Sequence, residues 1–300
     1  MPIVEGRVTV VMITHNRRDE ALRTLSRMTA LPDAAPIIVV DNASEDGTAE
    51  AIARSHPEVT LLAATENLGA IGRNHAVAEV RTPYVAFCDD DTQWQAGALT
   101  RAADLLDRYP ALGSVTGRCL VEPQLREDPI TSELRDSPVP GPEWLPGPAL
   151  LGIMAGLTMV RVSAFREVGG FNERLWLGGE EELFALDLAA RGWWMCWAED
   201  VVIHHAPSPA RDPRRRRQLG IRNTLWTLWL RRPVRSALRR TAAILRSAPK
   251  DIATLTAVLD ALGGTPWVLR ERKVVPRQVE RGLVLLEEPQ RTSVARRYVG

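Results

Sequence analysis

Three consecutive carboxylates, Asp89-Asp90-Asp91, close an apolar run that begins at Tyr84. Adjacent acids repel one another, so a cation must offset them, and a divalent metal with oxygen ligands is the usual partner. In an extended chain residues i and i+2 share a side, so Asp89 and Asp91 can converge while Asp90 points away. The competing reading at this point is a solvated acidic turn. A second cluster, Glu180-Glu181-Glu182, follows Gly178-Gly179. Three acids also suit the first turn of a helix, where the macrodipole favours negative charge. The functional reading is a carboxylate acting as general base on a hydroxyl. His204-His205 closes the apolar stretch Val201-Val202-Ile203. Neighbouring strand residues face opposite ways, so one histidine can turn toward Asp91. With the aspartates it forms a mixed carboxylate and imidazole set suited to Mn2+ or Mg2+.

The elements that carry these residues are legible from their periodicity. Arg7 to Thr14 is nearly continuous Val, Ile and Met, the pattern of a strand buried on both faces. After Asn16, the spacing of Ala21, Leu22, Leu25 and Met28 predicts a helix. A strand over 36–40 runs into Asp41-Asn42-Ala43-Ser44, rich in turn and N-cap residues, and a helix to about Arg54 follows. A strand at 59–63, a helix at 74–80 and a strand at 84–88 complete a β-α-β-α series. Such a series folds as a mostly parallel sheet with helices on both faces, and ligands gather at the carboxyl ends of its strands. The polar clusters at 14–17, 41–42 and 89–91 all fall there. The proline-rich segment 122–148 reads as a loop, 180–191 as a helix and 193–204 as a strand. Arg-rich helical stretches follow Pro213.

Composition narrows the class. The chain has 300 residues, 45% hydrophobic and 25% charged, the balance of a folded globular protein of one large or two small domains. The longest apolar stretch, Ala149 to Val160, is too short to span a bilayer. The first seven residues lack the regions of a signal peptide, and Cys88, Cys119 and Cys196 have no CxxC spacing. A cytoplasmic protein is expected. The net charge of +1 hides a division. Residues 1–210 hold 17 Lys and Arg against 30 Asp and Glu, whereas residues 211–250 hold 13 against Asp212 alone. An acidic body with a basic arm is expected to meet something anionic through that arm. There is no GxGxxG after the first strand, no Walker loop and no GxSxG elbow, which excludes dehydrogenases, ATPases and serine hydrolases of those designs.

In order, the chain carries Val-Val-Met-Ile-Thr-His-Asn-Arg (10–17), Val-Val-Asp-Asn-Ala-Ser-Glu-Asp-Gly-Thr (39–48) and Asn-Leu-Gly-Ala-Ile-Gly-Arg-Asn (67–74). It continues with Phe-Cys-Asp-Asp-Asp (87–91), Gly-Gly-Phe-Asn-Glu-Arg (169–174), Gly-Glu-Glu-Glu-Leu (179–183), Val-Val-Ile-His (201–204) and Arg222-Asn223. The series resembles the inverting glycosyltransferases of family 2, rhamnosyl- and galactofuranosyltransferase-like bacterial members among them, over about residues 7–225. The resemblance implies a GT-A (Rossmann-like) α/β fold over 1–210, with a nucleotide-binding part at about 7–118 and an acceptor part at about 149–210. Residues 211–300 form a basic, mostly helical extension. It implies that Thr14 and Asp41 line the nucleotide pocket and that Arg73 contacts the nucleotide or its phosphates. Asp91 is then the direct ligand of Mn2+ or Mg2+, with Asp89 nearer the ribose or metal. Glu181 stands at the catalytic-base position, where the family usually has Asp, with Glu180 as the fallback. His204, rather than His205, matches an additional metal ligand of some members.

The resemblance also implies the partners: a UDP, dTDP or GDP sugar as donor, and a saccharide or lipid-linked hydroxyl as acceptor in cell-envelope synthesis. Among the tryptophans near the base, Trp176 is the one assigned to the acceptor side. Arginine alternating with Trp226, Leu228, Trp229 and Leu230 over 211–246 is the pattern of an interfacial helix, pointing to peripheral contact at the inner face of the membrane. The acidic body argues against a nucleic-acid partner. Two rival readings are a nucleotidyltransferase that makes nucleotide sugars and a non-catalytic sugar binder. The first calls for a glycine-rich loop after the first strand, which Thr14-His15-Asn16-Arg17 does not supply.

Overall fold

The computed structural model describes residues 6–207 and 213–293. The expected boundary at 210/211, and Arg211 with it, lie outside the described residues. The first four strands, β1 (Val8–Thr14), β2 (Ile37–Asp41), β3 (Thr60–Ala63) and β4 (Tyr84–Asp89), are parallel and lie in the order 3-2-1-4. The intervening helices are α1 (Arg18–Thr29), α2 (Thr48–Ser55) and α3 (Gly72–Glu79). Side chains of β1 alternate between two cores, as strand geometry requires. Val8, Val10 and Met12 pack with Leu25 and Met28 of α1. Val11 packs with Ala76 and Val77 of α3 on the opposite face.

Beyond β4 the sheet becomes mixed. β5 (Thr92–Trp94) and α4 (Ala98–Arg108) lead into the long β6 (Leu112–Val121). The proline-rich segment expected as a loop holds a two-residue strand, β7 (Arg126–Glu127), and a helix, α5 (Pro129–Arg135). Asp128 starts that helix by accepting from the Ile130 N–H, with Pro129 at the first helical position, where its missing N–H costs nothing. Then come β8 (Thr158–Arg161), α6 (Val162–Val168), α7 (Glu180–Ala190) and β9 (Trp194–His205). The full strand order is 3-2-1-4-8-6-9-5, with β7 on β6. β8 runs antiparallel between β4 and β6, β9 is parallel to β6, and β5 is antiparallel to β9.

Among the described residues, five helices follow β9: α8 (Pro213–Arg231), α9 (Val234–Ser247), α10 (Ile252–Gly263), α11 (Thr265–Glu271) and α12 (Arg277–Thr292). α8 packs on α7, and α9, α10 and α11 pack on α8. This covering corrects the reading of α8 as an interfacial helix. Trp226, Leu228 and Leu230 are buried, and the Trp226 ring meets Trp267 of α11 edge-on while its N–H donates to the Ala261 carbonyl. Among the described residues no single helix is long and apolar enough to cross a membrane.

Candidate active site

Strand register brings three of the expected residues to one edge. Thr14 pairs with Asp41, and Ile13 with Asp89, so the carboxyl ends of β1, β2 and β4 are level. Thr14 is buried and its hydroxyl donates to Asp90 Oδ2 at 3.0 Å. Asp41 is buried too, and accepts from both the N–H and the hydroxyl of Ser44, which shapes the turn after β2. Asp90 and Asp91 share the Arg17 guanidinium, whereas Asp89 pairs with Arg73. Burial pushes Asp90 up to about 7, opposed first by Arg17, whose guanidinium lies 3.4 Å from it. The same guanidinium lies 3.6 Å from Asp91 Oδ2. Arg17 follows β1 directly, and its role was not drawn from the sequence.

Arg73 joins the two acid clusters. It is buried, and its NH2 donates to Asp89 Oδ1 at 2.5 Å, beneath the rings of Phe87 and Phe171. Burial works against its charge, but the fields of Asp89, Glu181 and Glu180 outweigh that and hold its pKa above the ordinary value. The turn Ala155–Leu157 supplies a second link. The Ala155 N–H donates to Glu181 Oε1. A Cβ on the next residue, Gly156, would lie 2.7 Å from Asp89 Oδ2. Consecutive residues thus touch both clusters, and only glycine allows the carboxylate this close. Sequence reading missed both, because Gly156 sits inside an apolar run and carries no chemistry of its own.

The acids on α7 are strongly perturbed. Burial pushes Glu181 up to about 8, with repulsion from Glu180 adding to the rise and the Ala155 N–H opposing it. Glu180 is raised for the same first reason, against the pull of Arg73. Its Oε2 is buried without a hydrogen-bond partner. An orphaned carboxylate oxygen beside a raised one is what proton transfer from a bound hydroxyl calls for.

The preceding turn is strained. Trp176 has φ 54° and ψ −63°, and the Leu177 N–H donates to the Leu175 carbonyl at 2.6 Å, closing a γ-turn about the tryptophan. Three contacts hold it. The Trp176 indole N–H donates to the Asn67 carbonyl, its carbonyl accepts from Ala70, and the Arg215 guanidinium lies 4.9 Å from its ring. Asn223 of α8, fully buried, donates to the carbonyls of Leu175, Leu177 and Gly178. Arg222-Asn223 was quoted from the sequence as a matching pair with no role attached. The structure gives Asn223 one, as the clamp on this turn.

The histidine expected beside Asp91 is corrected. His205 Nε2 lies 3.7 Å from Asp91 Oδ2, whereas His204 lies beside Glu122 and Gln95, 3.5 Å from each. The cause is register. The Ala206 N–H bonds the Asp91 carbonyl and β5 pairs Thr92 with His205, so the second histidine takes the side of Asp91. His205 also lies within a group including Cys119 and Asp128. Burial pushes the Cys119 thiol up to about 12, and Asp128 is committed to capping α5.

Residues 9–169 match the family model for Glycosyl transferase family 2. The chain belongs to that family. It is a glycosyltransferase, and this membership sets aside the nucleotidyltransferase reading. Among curated proteins it is 28% identical over 279 residues to the N-acetylglucosaminyl-diphospho-decaprenol L-rhamnosyltransferase of Mycobacterium tuberculosis, covering 78% of this chain and 90% of the relative. Among solved structures, the glycosyltransferase superposes on the mannosyltransferase PcManGT from Pyrobaculum calidifontis, in complex with GDP-Man and Mn2+, with a TM-score of 0.58 at 23% identity. That match covers 95% of this chain and 76% of the other. It also superposes on residues 1–349 of S. aureus TarS, with a TM-score of 0.60 at 16% identity, covering 91% and 82%. These likenesses give the glycosyltransferase its fold class, GT-A, with the sheet mixed rather than parallel beyond β4.

Proposed function

We propose that this glycosyltransferase moves a sugar, with inversion, from a nucleoside-diphosphate sugar to a hydroxyl of a lipid-linked saccharide in cell-envelope synthesis. One observation carries the reading. Arg73 and the adjoining pair Ala155–Gly156 bind the Asp89 end and the Glu181 end of one site together. The curated relative, named for rhamnosyl transfer to N-acetylglucosaminyl-diphospho-decaprenol, supports an L-rhamnose donor and an acceptor of that kind.

The donor set suits a divalent cation. Two carboxylates with an imidazole offer the hard oxygen and borderline nitrogen ligands that Mn2+ or Mg2+ takes. Asp91 and Asp89, with His205 in place of His204, would hold it. When bound, such an ion stabilises charge on the departing diphosphate as a Lewis acid. The solved mannosyltransferase in complex with GDP-Man and Mn2+ supports this assignment. Thr14 and Asp41 border the nucleotide, and Arg73 holds Asp89 in place. Glu181, with Glu180 beside it, takes the proton of the acceptor hydroxyl as that oxygen attacks the anomeric carbon, and the glycosidic bond to the diphosphate breaks. Trp176 borders the acceptor. No covalent sugar–enzyme bond is needed. We place the enzyme at the inner face of the membrane, where its acceptor lies.

Thermal denaturation with UDP, dTDP and GDP in the presence of Mn2+ tests the reading. At least one nucleotide raises the Tm in a metal-dependent way. Failure of all three to do so overturns it.

A further inference from the structure

The helices after residue 213 hold a polar site that the reaction above does not use. Arg214, Arg215 and Arg222 of α8 line a cavity of about 430 Å3 whose other wall includes Ile252, Thr256 and Asp260 of α10. Asp260 accepts from Gln218 at 3.1 Å and acts electrostatically on Arg222. Arg222 is partly buried, its Nε donating to Asn223 and its guanidinium lying 4.5 Å from the Trp226 ring. Burial pulls its pKa down, with Asp260 opposing, so an anion here would relieve a cation short of solvent.

The neighbouring surface is apolar. Ile252, Leu255, Leu259 and Leu262 are 68%, 59%, 58% and 63% exposed, and their spacing of three and four residues aligns them on one stripe of α10. Ala253 and Ala257 mark the opposite, buried seam of the helix. Ile252 belongs to both stripe and cavity, so the cationic cavity borders the stripe. The place is also close to the chemistry. Arg215 lies over Trp176, Arg222 reaches the Leu175 carbonyl at 3.4 Å, and Asn223 clamps the turn that leads to Glu180 and Glu181.

We propose that the cavity between α8 and α10 binds the phosphates of a membrane-borne polyprenyl diphosphate acceptor, with the stripe Ile252–Leu255–Leu259–Leu262 resting in the hydrocarbon. The inference rests on the transferase reading and gives its acceptor a binding site. Clustered guanidinia select phosphate by charge and by paired donors. An exposed apolar helix face beside them suits an interfacial rather than a spanning arrangement. The membrane contact thereby moves from α8, whose Trp226 is core, to the leucines of α10.

The test is sedimentation of the full chain with phosphatidylcholine vesicles carrying geranylgeranyl diphosphate, compared with vesicles given equal charge by phosphatidylglycerol. Binding to the diphosphate vesicles is expected to be roughly tenfold tighter, the worth of one or two charged hydrogen bonds. Inorganic pyrophosphate should compete on the unaltered chain. Arg214→Gln with Arg222→Gln should lose the preference, and Leu255→Asp with Leu259→Asp should lose vesicle binding while still binding pyrophosphate. Equal binding to both vesicle types, or no effect of the arginine changes, overturns the proposal. So does a dimer in analytical ultracentrifugation that Leu255→Asp abolishes, since a second copy would then own the stripe. Nucleotide-dependent stabilisation with Mn2+, measured on the same preparation, separates the two claims. Stabilisation without diphosphate preference rejects the cavity alone, and no stabilisation rejects the transferase reading.

Discussion

In the proposed reaction Glu181 takes a proton, yet it sits where burial holds that proton on. With a pKa of about 8, the free enzyme carries mostly the protonated acid at neutral pH. Activity that needs the carboxylate therefore rises with pH up to about 8 and levels above it. The expected kcat/KM profile loses about tenfold for each pH unit below that value. Glu180 and Glu181 titrate as a coupled pair, so the observed midpoint belongs to both. Glu181→Gln should cut kcat by roughly 10²- to 10⁴-fold. It should leave nucleotide-dependent thermal stabilisation in place, since it spares Asp89 and Asp91. A different substitution probes the other end. Gly156→Ala sets a methyl 2.7 Å from Asp89 Oδ2 and must displace that carboxylate from Arg73. Weaker stabilisation by nucleotide with Mn2+, with the fold intact by circular dichroism, is the expected result.

At the level of elements, the turn between 175 and 179 owes its shape to α8. Asn223→Ala would take the amide donor from the Leu177 and Gly178 carbonyls, the Leu175 carbonyl keeping the Leu177 N–H, which costs about 1–3 kcal/mol for each group left unsatisfied. The urea midpoint should fall accordingly, and transfer should fall more than donor binding, because the turn positions α7 and not the Asp89 edge. Elements close in sequence and strongly periodic were legible from the chain: β1 to β4 with their helices all appear where the pattern put them. Pairings over longer range were not. Nothing in 158–161 announces a strand that runs antiparallel between β4 and β6, since its apolar residues read equally as a continuation of the turn before it. The histidine choice failed for a related reason. Alternation says that one of two neighbours faces inward, but which one depends on the pairing of β5 with β9, and that is set by tertiary register. The helix α5 was legible and overlooked, since Asp128-Pro129 is a start signal that the surrounding prolines masked.

Across the whole molecule, charge is distributed so that the helical end is tied to the body by ion pairs as well as by apolar packing. Arg231 pairs with Asp187 of α7 through both its Nε and NH2. Arg232, 4% exposed, meets Glu280 and Glu287 of α12, and Arg239 of α9 shares Glu287. Removing Arg232 leaves Glu280 without this partner while Glu287 keeps Arg239, so Arg232→Ala is expected to destabilise the chain by about 3 kcal/mol, read as a lower denaturant midpoint. Replacing an exposed arginine such as Arg270, paired with its neighbour Glu271, should change it by less than about 1 kcal/mol.

The short stretch from the Ala155 N–H to the Gly156 α-carbon acts as a caliper across the proposed reaction centre. One jaw rests on Asp89, proposed to lie at the donor's leaving side, the other on Glu181, the proposed base, and the gap between them is set by the backbone of two adjoining residues. Such a gauge leaves no slack for a bulkier ring at its centre, so any retuning toward another sugar has to be made around the perimeter, while the measuring piece itself stays unchanged.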